Sequence, residues 1–501
     1  MYALLDLRGR RRAGGSRCVP NACTRITGPS RPEEHYSVAG QARNRGQRKA
    51  HMATAARLTA PPTAPGRLPL IGHALEMWRR PLEFLDSLTA YDQIVAVYLG
   101  PTPTYVLAGP EVVDRVMVAD AGHFAKGRSF EKLRDYLGEG LATSEGPFHL
   151  RQRRLMQPAF HHRQIDHYAR TMARLADERV ASWQAGQVVD VTQEMVDLSL
   201  AIVTSTLFST ALDEHIAADI RHDVPVVLRG VYNRAIDPTG LWQKLPTPGN
   251  RRLAAAHDRL SRAIDHLIRT RRTGLPAEQP DLLSMLLQAQ DADSGSTMTD
   301  QQVHDELITL LVAGTETAAG GLAWLFHELG RHPAVDRELH EELRTRSGEA
   351  PSFEHLSHLP YTRRVVDEAL RVRNPGGVTM RRATTEVELA GYRFPPGAEF
   401  MFSALVLHRN PHHFHDPLRF HPDRWLPGQK AAPRGAFLPF GAGRHRCIGE
   451  SFARAEMTTV VAALARRWRL EPLPGAQVRG VMTSTNHPAN LLMRVTPRAV
   501  R

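Results

Sequence analysis

The chain has 501 residues, enough for a large core, with 42% hydrophobic and 23% charged residues. Residues 1–51 contain eleven Lys or Arg and three Asp or Glu, so +8 of the +12 net charge lies there and only +4 lies in the other 450 residues. This distribution argues against nucleic-acid binding by the rest of the chain. Three cysteines, Cys18, Cys23 and Cys447, give no disulfide framework, as expected in a reducing cytoplasm.

The first 59 residues are predicted to be a disordered, Arg-rich extension, because residues 1–51 show no apolar periodicity. Ala3-Leu4-Leu5 is too short for a secretory signal, whereas the composition also suits an organellar transit peptide. We favour Met52 as the natural start. Residues 60–501 show no linker-like break and are predicted to form one domain. No 18-residue apolar run lacks charges, so no transmembrane helix is predicted.

The predicted elements begin with a stiff, proline-rich entry over residues 61–72. Helices are predicted over 81–91 and 110–119, and alternating apolar residues predict strands over 94–99 and 104–108. After a loop over 138–146, a helix over 148–156 is crowded with basic side chains. His149 and Arg153 are four residues apart and share a face, which is either functional or a solvated basic surface.

Helical periodicity dominates residues 167–288, interrupted by a loop over 237–250, and indicates a substrate lid without naming a substrate. The strongest helix prediction covers residues 299–330. At its centre lies Ala313-Gly314-Thr315-Glu316-Thr317, although Gly and Thr lower helix propensity. Small residues would let a flat ligand lie against the helix, and a Thr hydroxyl can bond the i−4 carbonyl and bend it. The acid–alcohol pair Glu316 and Thr317 suits proton relay; the alternative is a helix kink with an exposed Glu.

A further helix is predicted over 359–373, where Glu368 and Arg371 are three apart and can pair. Asn374 to Met380 breaks the helical pattern. Short strands are predicted over 386–392, 399–405 and 491–495, with a hairpin tip over 481–485. The chain is therefore predicted to be mainly α with a small β region.

The last motif is Phe440-Gly441-Ala442-Gly443-Arg444-His445-Arg446-Cys447-Ile448-Gly449, followed by a helix over 450–468. Glycines let the backbone approach a large flat ligand. A helix N-terminus favours a thiolate, so the loop could offer one sulfur anion to an iron held in a macrocycle. The alternative is a buried structural cysteine.

This ten-residue pattern resembles the haem-binding loop of the cytochrome P-450 superfamily, Phe-Gly-x-Gly-x-Arg/His-x-Cys-x-Gly, with His445 at the Arg/His position. Residues 313–317 are similar to the oxygen-activation motif of that superfamily. Six motifs in matching order cover about residues 60–500. The resemblance implies a triangular prism of helices, with haem b between the long central helix and the helix after Cys447. The expected lack of an N-terminal membrane anchor resembles the soluble bacterial members of the superfamily.

The resemblance also assigns roles to residues. Cys447 would ligate the iron, and Glu316 and Thr317 would be catalytic. Glu368, Arg371 and Arg424, the last within Phe420–Trp425, would hold the cysteine loop in place. The expected haem contacts are Phe440, Gly441, His445 and Gly449, with His149, Arg153 and Arg381 on the propionates and Arg382 as the alternative to Arg381. Most members outside the simpler bacterial ones have Trp where this chain has His149.

The implied activity is hydroxylation or epoxidation of an apolar substrate with one oxygen atom from O2. The expected pocket is mostly apolar: Phe124, Phe130, Leu311, Ala313, Gly314, Val378, Thr379, Met380 and Met482. Residues 138–147 and the Arg381-Arg382 pair are similar to bacterial terpenoid oxidases of secondary metabolism. Fatty acids, macrolides and xenobiotics are the alternative substrates.

No flavin or iron–sulfur motif is found, so NAD(P)H electrons are expected through a ferredoxin and a ferredoxin reductase. Arg444, Arg446 and Arg454 could steer such an acidic partner, or form a solvated face with propionate ligands. A cytoplasmic monomer without a membrane anchor is expected. A peroxygenase and a non-catalytic haem-binding protein are the competing classes, and Glu316-Thr317 argues against both.

Overall fold

Helices make up most of the structure, a computed structural model that describes residues 60–208, 213–236, 245–274, 281–345, 358–483 and 485–498. The described residues belong to one compact unit bounded by Arg57 and Arg501. In chain order, the described α-helices are α1 Ala74–Arg79, α2 Pro81–Leu88, α3 Pro110–Asp114, α4 Arg128–Leu137, α5 Gly146–Met156, α6 His162–Ser182, α7 Val191–Phe208, α8 Glu214–Ile236, α9 Pro248–Thr273, α10 Leu282–Gln288, α11 Asp300–Arg331, α12 Pro333–Thr345, α13 Pro360–Val372, α14 Ala404–His408 and α15 Glu450–Arg467.

The long helix α11 runs through the core and packs against α7, α9, α13 and α15. A capping box starts it: the Thr299 hydroxyl accepts the Gln302 amide hydrogen at 3.2 Å, and the Gln302 side chain accepts that of Thr299 at 3.1 Å. Among the described residues, α11 alone is long and apolar enough to cross a membrane. Because 67% of its apolar window is buried, it has the features of a core helix.

Two large apolar clusters hold α11 at its two ends. Leu322 and Leu325 belong to the cluster formed with α6, α7, α13 and α15. Leu307 and Leu311 belong to the cluster formed with α5, α7, α8, α9 and α10. Each fully buried leucine contributes about 2 kcal/mol from the removal of apolar surface from water. The middle of α11 therefore lies between two packed halves of the helix, which fix its position.

The described residues also form four small sheets. The strands are β1 Ile94–Tyr98, β2 Pro103–Leu107, β3 Phe124–Lys126, β4 Val188–Asp190, β5 Val378–Ala383, β6 Val387–Leu389, β7 Tyr392–Phe394, β8 Glu399–Ser403, β9 Trp468–Pro472, β10 Arg479–Met482, β11 Asn486–Ala489 and β12 Leu492–Pro497. The main sheet has the order β1-β2-β8-β5-β3, with β2 and β8 parallel and the other pairs antiparallel. A second sheet has the order β4-β12-β9, and β6-β7 and β10-β11 are hairpins.

The predicted fold class is confirmed, with local differences. The strand expected over 386–392 is instead the hairpin β6–β7, because Ala390 and Gly391 have φ of 49° and 84° and turn the chain. The helix expected over 110–119 continues beyond α3 as a π-helical turn over Arg115–Ala119. The predictions for residues 1–59 and for most of the 237–250 loop lie outside the described residues; α9 already begins at Pro248.

Candidate active site

Two side chains in the middle of α11 are exposed, although most of this helix is buried. Ala313 and Thr317, one turn apart, are exposed, whereas Leu311, Thr315 and Ala318 are buried. The Thr317 hydroxyl donates to the Ala313 carbonyl at 2.7 Å. Thr315 donates to the Leu311 carbonyl at 2.8 Å in the same way. The hydroxyls thus bond to i−4 carbonyls as expected, and the α-helix continues through this point without a break.

Three residues expected in the pocket pack closely against other parts of the protein. A Cβ on Gly314 would lie 3.1 Å from Val203 Cγ2, so this glycine permits close packing with α7. Leu311 is 0% exposed within the α11 core. Phe124 is 1% exposed and packs edge-to-face against Phe400 with ring centroids 5.7 Å apart. Neither side chain is exposed in this structure, so the pocket assignments of Leu311 and Phe124 have no support from their burial.

The other expected pocket residues keep accessible surface. Phe130, Thr379, Met380 and Met482 are half-buried, and Val378 is exposed. The predicted hairpin is present as β10–β11, although residue 484 at its tip lies outside the described residues. The Asn486 amide donates to the Pro375 carbonyl at 2.8 Å, and the Tyr232 hydroxyl donates to the Met482 carbonyl at 2.9 Å. The hairpin is therefore tied to both the 374–380 segment and α8.

The cysteine loop folds back on itself before α15. The Cys447 amide donates to the Phe440 carbonyl at 2.9 Å. Gly441 and Gly443 have φ of 70° and 65°, which favour glycine, and a Cβ on Gly443 would overlap the Met117 carbonyl. A Cβ on Gly449, by contrast, would meet only ordinary contacts, 3.8 Å from the cysteine sulfur and 4.0 Å from a ring carbon of Phe160. The loop's shape depends on Gly441 and Gly443.

The thiol of Cys447 is accessible but enclosed by protein on most sides. Burial raises its pKa, and the amide of Gly449, Arg153 and Arg446 only partly oppose that effect. The expected stabilisation of a thiolate by the helix terminus is thus present but outweighed by desolvation. A bound metal cation would supply the missing charge, since coordination deprotonates a thiol.

A cluster of basic side chains faces the cysteine loop from α5, β3 and β5. His149 and His445 pack edge-to-face with ring centroids 4.7 Å apart. Burial lowers the pKa of His149 to about 4 and that of His445 to about 2, so both rings are neutral at pH 7. Burial also lowers the pKa of Arg381 to about 10 and that of Lys126 to about 8. Glu145 is a nearby carboxylate, 3.7 Å from His445 Nε2.

Several polar atoms of this basic cluster lack ordinary partners. His149 Nε2 and Arg444 Nε are buried and have no hydrogen-bond partner among the described residues. Arg381 donates to the Met380 carbonyl at 2.7 Å but has no ion pair with any described carboxylate. Arg382 instead bridges Glu399 and Glu131, with 2.6 Å to each. Of Arg381 and Arg382, Arg381 is therefore the one available to pair with a carboxylate of a ligand.

These features fit a flat macrocycle with two carboxylates. Unpaired, buried cationic and imidazole groups are costly unless an anion completes them. Cys447 lies in the loop that leads into α15, and the exposed Ala313 and Thr317 lie on α11, which packs against α15. Arg153 Nη1 donates to the Arg446 carbonyl at 2.6 Å, so it supports the loop backbone directly. Lys126 was not found from the sequence, because it stands in no motif.

Glu368 organises the support of the cysteine loop. It is fully buried and accepts from Arg371 at 2.8 and 2.9 Å, from the His421 amide at 3.0 Å and from Trp425 Nε1 at 3.0 Å. Arg424 Nε approaches at 3.4 Å. The predicted Glu368–Arg371–Arg424 group therefore exists as a contact network.

His408 connects this network to the cysteine loop. Arg371 Nη1 donates to the His408 carbonyl at 2.9 Å, and His408 Nε2 accepts the Leu438 amide hydrogen at 2.9 Å, two residues before Phe440. Burial lowers the pKa of His408 to about 3, so the ring stays neutral and able to accept. No sequence signal indicated His408, since its partners are backbone atoms distant in sequence.

The three arginines proposed as a basic rim have different environments. The side chain of Arg446 is 57% exposed and pairs with Glu450. Arg454 pairs with Asp367 and Glu450 in a partly buried position. Arg444 donates to the Phe124 carbonyl at 2.7 Å on the side of the basic cluster. Of the three, Arg446 offers the most surface to a partner.

Comparison with known proteins identifies the family and the fold of the chain. The chain is 44% identical over 431 residues to cyclooctat-9-en-7-ol 5-monooxygenase of Streptomyces melanosporofaciens, covering 84% of this chain and 94% of the relative. It is 39% identical over 443 residues to pentalenene oxygenase of Streptomyces avermitilis, covering 87% and 97%. The crystal structure of the cytochrome P450DA heme domain superposes with a TM-score of 0.79 at 24% identity, covering 88% of this chain and 99% of that one. The Cytochrome P450 family model matches residues 61–498, and the chain therefore belongs to the cytochrome P450 family.

Proposed function

We propose that this chain is a haem-thiolate monooxygenase that oxidises a cyclic terpenoid. The reaction consumes substrate, O2, two electrons and two protons, and yields the hydroxylated or epoxidised product and one water. The proposal rests on an exposed Cys447 in the loop that leads into α15 and an exposed Thr317 on α11, which packs against α15, in a chain of this family.

Each site residue has a role in this proposal. Haem b, when bound, supplies the oxygen chemistry, while the protein binds, orients and delivers protons. Cys447 ligates the iron, and Phe440, Gly441 and Gly449 line the loop beside it. Thr317 holds a proton donor in place, and Glu316 exchanges protons with it. The propionate carboxylates are held by His149, Arg153, Arg381 and His445, and Arg forks match such carboxylates well.

The substrate class rests on the relatives and on the pocket. Two relatives at 39–44% identity are named for cyclooctat-9-en-7-ol and pentalenene, both cyclic terpenoids. The accessible pocket residues Phe130, Ala313, Val378, Met380 and Met482 are apolar, which favours a ligand without charge. Thr379 is a polar contact for a substrate hydroxyl.

The electron donor is proposed to be an acidic ferredoxin, reduced by a ferredoxin reductase with NAD(P)H. The exposed Arg446, next to Cys447 in sequence, supports an acidic partner at this face, because complementary charges steer association. We further propose that the enzyme works as a cytoplasmic monomer.

The substrate is tested with the haem-loaded protein and a panel of pentalenene, cyclooctat-9-en-7-ol and a long-chain fatty acid. A terpenoid is expected to shift the ferric spin state and, with ferredoxin, reductase and NADPH, to give a product heavier by one oxygen atom. Turnover of the fatty acid alone would contradict the terpenoid assignment. Product formed with hydrogen peroxide, but not with the electron-transfer proteins, would favour a peroxygenase.

The proton-delivery role is tested by Thr317→Ala. We expect the haem spectrum to be unchanged, while the yield of product per NADPH falls by about tenfold or more, because a positioned proton donor accelerates such steps by at least that factor. Thr315→Ala is the matched control: its hydroxyl makes the same i−4 hydrogen bond but is buried away from the site. Equal product yields in the two variants would exclude the role of Thr317.

A further inference from the structure

The segment between α4 and α5, residues 138–145, is held by buried charged side chains from two directions. On one side, Asp305 Oδ2 accepts the Glu139 amide hydrogen and Glu306 Oε2 accepts the Leu141 amide hydrogen, both at 2.8 Å. On the other side, Lys126 Nζ donates to the carbonyls of Leu141 and Ser144 at 2.9 and 2.8 Å. Acceptors from α11 and a donor from β3 thus fix the backbone of this segment.

Two glycines allow the backbone to reach α11 so closely. Gly138 has φ of 60°, and a Cβ there would overlap the Asp305 carboxylate. A Cβ on Gly140 would overlap the Thr309 hydroxyl, although Gly140 has no positive φ. At Gly140 the restriction is therefore purely steric. The segment can therefore approach the helix this closely only with glycine at both positions.

The same segment leads directly into the basic cluster. Ser144 Oγ lies 3.3 Å from His149 Nδ1, and the Lys126 amide donates to the side chain of Glu145. Glu306, which contacts the segment from α11, lies eleven residues before Thr317, or about 16 Å along the helix. A displacement of the segment would therefore move His149 relative to α11.

We propose that Asp305 and Glu306 are positioning residues, whose side-chain oxygens hold segment 138–145 against α11 and so place His149 for the haem. This inference rests on the haem-binding role of the basic cluster in the proposed function. Among the described residues, neither Asp305 nor Glu306 has a hydrogen bond or ion pair with Cys447, and their bonds to the segment are made to its backbone amides.

The acceptor oxygen matters more than the charge at Glu306. Burial raises the pKa of Glu306 to about 8, and Asp305 adds to this effect, while the Leu141 amide and Lys126 oppose it. The side chain therefore carries a proton for much of the time at pH 7. A glutamine keeps an acceptor for Leu141 and matches the neutral acid in shape, whereas an alanine removes the acceptor.

The test uses the haem-loaded protein and two readouts that need no turnover. Hydrogen exchange of peptides covering residues 138–145, followed by mass spectrometry, reports the backbone hydrogen bonds. The rate of haem transfer to excess apomyoglobin reports the hold on the cofactor. Asp305→Ala and Glu306→Ala should each raise both rates by about fivefold or more, as expected for a lost buried hydrogen bond. Asp305→Asn and Glu306→Gln should stay within about twofold of wild type.

Two further variants keep the test decisive if an alanine variant fails to fold. Gly140→Ala leaves both acids intact but pushes the segment off Thr309, and should raise both rates; Gly122→Ala, with no atom within 4 Å of the added Cβ, is its control. Asp300→Asn controls for charge on α11, since Asp300 pairs only with surface Arg272 among described residues. Unchanged exchange in the alanine variants and in Gly140→Ala would overturn the proposal. Exchange in the Asn and Gln variants as fast as in the alanine variants would do so too.

Discussion

At the scale of single residues, a buried acid makes the stability of the protein depend on pH. Glu456 on α15 is fully buried and accepts from the Ser199 hydroxyl at 2.7 Å, and its other oxygen has no hydrogen-bond partner among the described residues. Burial raises its pKa to about 8, and only the Ser199 hydroxyl opposes the shift. Unfolding exposes the carboxyl to water and returns it to its ordinary pKa.

This shift predicts the pH dependence of Glu456→Gln. The folded protein binds the proton more tightly, so the stabilisation is complete below the unfolded pKa and is lost as pH rises towards 8. Glutamine does not titrate, so the unfolding midpoint of the variant should rise relative to wild type between pH 5 and 8. The free-energy difference should grow by at most about 1.4 kcal/mol per pH unit. A difference that is constant across this range would contradict the assignment.

At the scale of elements, α13 and α14 determine where the cysteine loop lies. Arg371 makes five hydrogen bonds, two to Glu368 and three to the carbonyls of His408, Pro417 and Arg419. A planar guanidinium can satisfy all of these directions, whereas an ammonium offers three donors from one atom. The loop is thus built on a network that depends on the shape of one side chain.

Arg371→Lys is expected to remove most haem-containing soluble protein. Disrupting one partner of a buried ion pair costs about 3–5 kcal/mol, a large part of the stability of a domain. Arg363→Lys is the matched control, because Arg363 lies on the same helix with an exposed side chain. The measurement is the haem-to-protein absorbance ratio of purified soluble material. A ratio for Arg371→Lys equal to that of the control would show that the network is dispensable.

The sequence could predict the long elements but not which side of them meets the ligand. Helix α11 was expected over 299–330 and is found at Asp300–Arg331. Apolar periodicity identifies a buried face, yet on α11 nearly the whole circumference is buried. Leu311 therefore could not be told from a pocket residue, and the packing of Gly314 on Val203 depends on a helix over a hundred residues away.

The supporting contacts were the least predictable part of the site. Lys126, Asp305 and His408 act through backbone atoms distant in sequence, and such partners have no spacing signature. The motif residues were found because their spacing in sequence is itself constrained: Thr317 bonds to Ala313 one turn earlier, and Glu368 to Arg371 three residues later. Local geometry is visible in sequence, and long-range hydrogen bonding is not.

At the scale of the whole molecule, the open side chains of α11, the basic cluster and the cysteine loop belong to different parts of the chain that the fold brings into one compact unit. Together they present a cysteine sulfur and a cluster of basic groups, which suit a flat ligand that carries an iron and two carboxylates. We therefore propose that the sulfur of Cys447 binds that iron as a thiolate.

The most direct measurement is the absorption spectrum of the reduced, carbon-monoxide-bound protein, recorded for wild type and for Cys447→Ser. A haem-thiolate site predicts a Soret band at about 450 nm for wild type and its loss in the variant. A wild-type band at about 420 nm, or a 450 nm band that persists in Cys447→Ser, would contradict ligation by the Cys447 thiolate.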